Sequence, residues 1–466
     1  MSRSDGLSAY RERWERLTRL GAPVAASSVT RSVMGATDVL IAAAISPSAV
    51  AVVTIADLYR QMTGRIGGGI GGGAVALTSQ DTGAGAEANR DETVVQAALL
   101  CVLVGAVAAI GAGLYGEPAI SLVGGGELDD SAVADGAAYL AVTLLVAPVT
   151  LMKAVFAQAF AAIGDTKTPF YIGATGDVLN VAASLALGLG FAPLGIPRLG
   201  VLGLGIATAG ASVIATLLYL LALAKRSPYS YVRPTDPTLA KQVLQVGLPQ
   251  SAGGFVTSAA MFPFSRIVIG FGTGIYAGYQ VAWRLYRLTI GTLVPAIAVA
   301  TKIIVGQAIG DGDVADARFT VRAALSLGVV VAAVIGLLLA VATEPLAALL
   351  VSGEGANRWT VSFARLLGAV AVLGVANNVL TAALQGASET RVGLASRIAG
   401  MLGGMVGVTW LVGVELGYGV LGAYAGIVAC YLLFVAVSAW GYLFTDWAGR
   451  AAGLMVERGS VGESGG

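Results

Sequence analysis

The chain has 466 residues, 56% hydrophobic and only 12% charged, with a formal net charge of +1 and a mean hydropathy of +0.80. A soluble domain carries roughly 25% charged residues, so a string of water-soluble domains is excluded, and the missing basic surplus argues against a nucleic-acid binder. Histidine is absent, which removes His-based metal sites, general bases and pH switches, and leaves an all-α, polytopic membrane protein as the class that fits.

The first nineteen residues carry Arg3, Arg11, Arg13, Arg16 and Arg19. The apolar run beginning at Leu20 is too long for a secretory signal and has no small-x-small cleavage site, so it reads as a retained first span. Further spans are predicted near 48–78, 94–115, 132–160, 168–192, 200–224, 243–271, 276–306, 319–343, 361–383, 391–412 and 418–443. At about 20 apolar residues each, twelve spans fit the length. Cys101 and Cys430 sit far apart inside apolar runs, as buried residues without metal or disulfide spacing.

Basic residues gather on one side, in the N-terminal arm, 225–241, 318–322 and 450–458. The other side holds Arg198, Arg358 and an acidic loop with Glu117, Glu127, Asp129 and Asp130. Both termini are therefore expected in the cytoplasm. Twenty-three arginines against five lysines suit a GC-rich prokaryotic genome, so the plasma membrane of a prokaryote is the expected location.

The segment 225–242 holds Pro228, Pro234 and Pro237 and reads as a linker between two halves that repeat each other. Leu58-Tyr59-Arg60 returns as Leu285-Tyr286-Arg287, and at the same spacing of 227 residues Gly64 meets Gly291 and Gln80 meets Gln307. Gly21-Ala22-Pro23 is echoed by Gly247-Leu248-Pro249, Gly164-Asp165-Thr166-Lys167 by Ser388-Glu389-Thr390-Arg391, and Gly200-Val201-Leu202-Gly203 by Gly419-Val420-Leu421-Gly422. Six spans return the chain to its starting side, so the copies share one orientation: a parallel repeat of two lobes around a central cavity. The expected divisions are a cytoplasmic arm at 1–19, lobes at 20–224 and 243–445, the linker, and a cytoplasmic tail at 446–466.

At these residues the chain resembles the multidrug and toxic compound extrusion (MATE) family, over roughly residues 15–445. The loop Gly164-Asp165-Thr166-Lys167-Thr168-Pro169, its partner Leu384 to Arg391, and Gly306-Gln307 followed by Gly310-Asp311-Gly312-Asp313 carry the likeness by their order. The resemblance implies two six-helix lobes and ion-coupled export. It places Asp38 at the family's first-span aspartate, Asn180 at its fifth-span asparagine and Thr208 at its sixth-span threonine. Ser184 stands where the family has a second aspartate, and Asp177 lies one turn before Asn180.

An aspartate at the centre of a membrane helix costs about 2.5–3.5 kcal/mol on insertion scales, so Asp38 and Asp177 each demand a reason. The spacing of Asp177, Asn180 and Ser184 sets three oxygens on one helix stripe. With Asp38 opposite, they form a pocket able to take a proton, or Na+ at Asp38, Asp177 and Asn180. Asp57 either joins this site or pairs with Arg60 one turn on. No acidic residue falls inside the last six predicted spans, so ion binding is expected in the first lobe.

Arg31, Arg60, Arg65, Arg266, Arg284, Arg287 and Lys302 also fall inside spans. If several face the cavity, an anionic or lipid-phosphate substrate fits better than an organic cation. Asp57, Arg60 and Arg287 are candidate cavity residues, with Tyr279, Trp283 and Tyr286 able either to stack on a flat ligand or to pack helices. Pro23 and Pro249 are candidate hinges. Six glycines around Ile70 lack the Gly-Lys-Ser/Thr ending of a phosphate loop and read as close packing or a hinge. Expected is a monomeric secondary multidrug antiporter, exporting amphipathic cations in exchange for H+ or Na+ by rocking of the lobes. A flippase for lipids or lipid-linked oligosaccharides is the alternative. An enzyme is not expected, nor any cofactor, and the partners are small molecules and the bilayer.

Overall fold

The computed structural model describes residues 3–350 and 354–460. These are almost wholly helical, as a backbone in lipid must satisfy its polar groups within its own segment. In order they are α1 (Arg3–Ile45), α2 (Pro47–Gly83), α3 (Glu87–Gly124), α4 (Asp130–Leu145), α5 (Ala147–Ala162), α6 (Lys167–Leu189) and α7 (Gly200–Arg226). The second half supplies α8 (Pro237–Phe271), α9 (Thr273–Gly310), α10 (Val314–Leu350), α11 (Glu354–Gly386), α12 (Arg391–Ile398, continued to Glu415 in wide π turns), α13 (Val420–Phe444) and α14 (Trp447–Glu457).

Ten described helices are long and apolar enough to cross a membrane, and α4 with α5, bent by 47°, makes an eleventh. The remaining predicted span is α2, equally long but carrying Asp57, Arg60, Arg65 and Asp81. Lipid exposure is written on the surfaces. On α3, Leu99, Leu103, Val107, Ile110 and Leu114 recur every three or four residues and all are more than half exposed. Such a stripe is a liability in water and the expected face toward acyl chains. The opposite face buries Cys101, Gly105 and Ala112, and both cysteines are free and buried.

By its contacts the chain forms two compact units. One holds Ala26–Thr78 and Ala86–Ser251, with cores around Ile41, Val52, Ile120 and Tyr139 and around Leu77, Cys101, Phe160 and Val243. The other holds the chain up to Ala25, Ser79–Gly85 and everything from Ala252, with a core around Phe264, Ile290, Ile304 and Phe363.

The glycine run of α2 serves close approach. A Cβ on Gly247 of α8 would lie 2.6 Å from the Gly69 carbonyl oxygen, and one on Gly73 would strike the Val243 carbonyl. The two backbones touch, which side chains would forbid. Within the run Gly68 alone faces open space.

The 227-residue repeat is visible in detail. Gly85 and Gly312, at φ +67° and +77°, turn the chain after α2 and α9 alike. The loop after α5 closes with Gly164 at φ +87° and bonds from Asp165 N to Phe160 O (3.0 Å) and Gly164 N to Ala161 O (2.8 Å). After α11 the same pair runs from Glu389 N to Leu384 O (2.8 Å) and Ser388 N to Gln385 O (3.0 Å), with Ser388 at φ +60°. Both are helix C-termini closed by a left-handed residue.

The chain's arm, linker and tail are held down rather than loose. The arm is the start of α1: Arg13 pairs with Asp316, and Trp14 Nε1 donates to Ala323 O at 3.0 Å. In the linker, Arg90 Nη2 donates to Pro228 O (2.9 Å), while Asp91 and Glu92 accept from the backbone N–H of Ser230 (2.8 Å) and Asp236 (2.7 Å). The tail folds as α14, capped by Asp446, which accepts from Gly449 N at 2.9 Å. Trp447, Ala451 and Met455 form its buried stripe.

Candidate functional site

The residues expected to bind an ion lie in the unit that holds Ala26–Thr78 and Ala86–Ser251. Asn180 of α6 is buried at 3% exposure and turns its amide toward α1, donating to both carboxylate oxygens of Asp38 at 3.4 Å. One turn along α6, Ser184 is fully buried. Neither Asn180 Oδ1 nor Ser184 Oγ has a hydrogen-bond partner among the described residues. A buried acceptor left without a donor costs about 1–3 kcal/mol. Asn180 Oδ1 next to the Asp38 carboxylate, with Ser184 Oγ one turn along α6, supplies hard oxygen donors of the kind a small cation takes.

Asp57 finds its partner on its own helix: Arg60 Nε donates to its Oδ1 at 3.0 Å, and Nη2 lies 2.9 Å from the same oxygen. Arg60 and Asp57 are also the charged groups acting most strongly on Asp38, ahead of Asp177. Tyr139, buried at 3%, sits among Arg60, Asp57 and Asp38 and beside Thr208. Thr208 lines a cavity of about 70 Å³ with Arg60, Thr63, Thr143 and Ser212.

Asp177 has a different company. Thr30 lies beside it, and the charges acting on it are those of Lys153 and Arg31. Asp38 thus meets Asn180, Ser184 stands one turn beyond, and Asp177 occupies a flanking cluster with two cations. Lys153 and Tyr139 were missed by sequence reasoning. A lone lysine inside the fourth predicted span was signal enough for the first, whereas a tyrosine in an apolar run carries none.

In the other unit, Tyr279 is fully buried, with its ring against Phe264 at 5.2 Å and Phe363 at 5.5 Å. It belongs to helix packing. Trp283 stacks on Tyr286 at 5.3 Å and 13°, and the Tyr431 hydroxyl donates to that of Tyr286 at 3.4 Å. Arg287 is exposed. Pro23 and Pro249 stand inside α1 and α8. Glu344 falls within α10, which runs on to Leu350 past the predicted span end at 343, and it pairs with Arg365 at 2.7 Å.

A family model described as MatE matches residues 23–185 and 249–411, one block in each half. A "Probable multidrug resistance protein NorM" of Bradyrhizobium diazoefficiens is 26% identical over 421 residues, 88% of either chain. "Multidrug resistance protein MdtK" of Pectobacterium atrosepticum is 26% identical over 393 residues, 83% of this chain and 84% of the relative. Among solved structures, the "Crystal structure of MATE in complex with MaD3S" superposes with a TM-score of 0.84 at 20% identity, covering 95% of this chain and 97% of that one.

Proposed function

The chain belongs to the MatE family, and from that premise we propose that it is a multidrug exporter of a bacterial plasma membrane, both termini cytoplasmic, driven by exchange for H+ or Na+. Asp38 takes the ion, Asn180 and Ser184 supply further oxygens, and Thr208 with Tyr139 borders the site. Asp177, with the charges of Lys153 and Arg31 acting on it, tunes the field around the site. The substrate is an amphipathic small molecule, and the lobes rock about Pro23 and Pro249 to give alternating access.

The observation that carries this reading is the pair of orphaned oxygens on one helix, Asn180 Oδ1 and Ser184 Oγ, the first of them on the residue that contacts the Asp38 carboxylate. A structural carboxylate would be fully paired inside the protein. This one is left with ligands to spare. Relatives named multidrug resistance proteins support the substrate class. Membrane potential alone contributes about 2.3 kcal/mol per charge per 100 mV, enough for a useful concentration ratio.

The test is uptake of ethidium or norfloxacin into proteoliposomes with the cytoplasmic face outward, under an imposed pH or Na+ gradient. Uptake with one gradient that disappears in Asp38→Asn is the expected result and names the ion. A folded wild type that moves neither drug under either gradient refutes drug antiport and favours the flippase.

A further inference from the structure

We propose that Arg458 and Asp81 are the gating pair of this transporter: the C-terminal segment clamps the last turn of α2 in one stage of the cycle and releases it in the other. The proposal rests on the transporter reading above.

Arg458 follows α14, 377 residues from its partner. Its Nε donates to Asp81 Oδ1 at 2.8 Å and its Nη2 to Gln80 Oε1 at 3.0 Å, and both members of the ion pair are 0% exposed. The Ser460 hydroxyl donates to the same Asp81 oxygen at 2.7 Å. Gln80 passes the connection on, its Nε2 donating to Gly386 O at 2.7 Å and Ser388 Oγ at 3.1 Å. A second ion pair, Arg450 with the buried Glu389, fastens the other end of α14 to the same loop.

Three features mark this contact as a device rather than a staple. First, a buried ion pair is a poor way to gain stability, because desolvating two charges offsets their attraction, and apolar residues of similar volume do as well or better. What a charged pair does better is separate, since each ion regains water when the contact opens. Second, the clamp grips a stretch where a helix changes company: α2 belongs to one compact unit through Thr78 and to the other over Ser79–Gly85. Third, the repeat-related glutamine is held in the same way. Gln307 lies 227 residues after Gln80, and Arg16 of the N-terminal helix donates to its Oε1 at 2.9 Å. Each chain end thus lends one arginine to one of two equivalent glutamines. Beneath them α2 and α9 cross in contact, since a Cβ on Gly83 would strike the Gln307 carbonyl and one on Gly310 the Gln80 carbonyl.

The discriminating variant is the double substitution Asp81→Leu with Arg458→Met in the full chain. It keeps the volume and removes the charges, so the protein is expected to melt at or above the wild-type midpoint. Its drug turnover in proteoliposomes is expected to fall about tenfold, the effect of about 1.4 kcal/mol added to a barrier. A purely structural pair would leave turnover tied to stability. The second arm is amide hydrogen exchange of Trp447–Glu457 in the wild type, with and without norfloxacin at pH 5.5 and 8. Two exchanging populations whose ratio responds to ligand or pH are expected, and this readout stands even if no drug is transported. A double variant that turns over at the wild-type rate overturns the proposal. So does a tail that exchanges as one slow population under every condition, and that result decides alone if the double variant does not purify.

Discussion

Replacing Gly247 by alanine puts the packing argument at risk in one experiment. The added methyl would sit 2.6 Å from Gly69 O, 2.9 Å from Gly69 C and 3.2 Å from Ile70 N, all backbone atoms that cannot swing aside. The helices must part by several tenths of an ångström, and a gap of about 0.5–1 Å forfeits a quarter to a half of each dispersion contact it touches. Overpacking of this kind costs about 1–3 kcal/mol. Alanine returns up to about 1 kcal/mol of helix propensity, leaving a net loss of about 1–2 kcal/mol. Gly68→Ala, on the facing helix but in open space, incurs no clash and is expected to be neutral or mildly stabilising. Thermal unfolding of the detergent-solubilised protein, read by the loss of the monodisperse peak on gel filtration, compares the two. Equal midpoints for Gly247→Ala and wild type, or a Gly68→Ala variant that is the less stable of the two, would refute the claim that the α2–α8 contact is backbone on backbone.

Ser184→Ala removes a hydroxyl that bonds nothing among the described residues, so the melting midpoint should hold. The driving-ion concentration for half-maximal uptake should rise about 2- to 10-fold, the worth of one ligand at about 0.5–1.5 kcal/mol; an unchanged ion dependence removes Ser184 from the site. Asp129 accepts from Ala132 N at 2.7 Å and from the Ser131 hydroxyl at 3.0 Å, which holds its carboxyl below the ordinary 3.8. Its cap on α4 is therefore complete above that ordinary value and lost as pH falls through the lower folded one. The midpoint difference between wild type and Asp129→Ala should be flat near neutrality and vanish in strong acid. Cys101 and Cys430, both buried, should ignore a water-soluble maleimide in the folded protein and react after unfolding in SDS. Labelling of either in the native state contradicts the packing of α3 or α13.

Much of the architecture was readable because membrane helices announce themselves by length and apolarity, and because the repeat writes every turn twice. Gly164 with Ser388 is a turn that the sequence repeat had already paired, and Gly85 with Gly312 is one that the structure adds at the same 227-residue spacing. The meeting of Asp38 and Asn180 was legible through the family resemblance, since both stand at its polar positions. The stripe argument alone does not reveal the surroundings of Asp177: its spacing to Asn180 is right, and the charges acting on it are those of Arg31 and Lys153, groups on neighbouring helices that no local pattern reveals. Tyr279 shows the opposite difficulty, because an aromatic on a core face and one on a cavity wall have the same spacing. The tail was illegible for a plainer reason. Arg458 and Asp81 are separated by almost the whole chain, and a basic residue near a terminus looks like any solvated one until its partner is known.

The twin loops after α5 and α11 end differently. In the first copy, Asp165 turns inward on its own loop, accepting from Lys167 N at 3.1 Å, Thr168 N at 3.0 Å and the Thr168 hydroxyl at 2.6 Å. In the second, the longer Glu389 reaches Arg450 in the tail. A single methylene has changed a self-sufficient corner into a dependent one. Cut the protein at the linker and the first fragment keeps every partner of its acid, while a second fragment shorn of its last residues is left with a buried carboxylate and no counter-ion. The two halves are therefore not interchangeable at this corner: the first copy's acid is satisfied within its own loop, whereas the second's depends on Arg450 of α14.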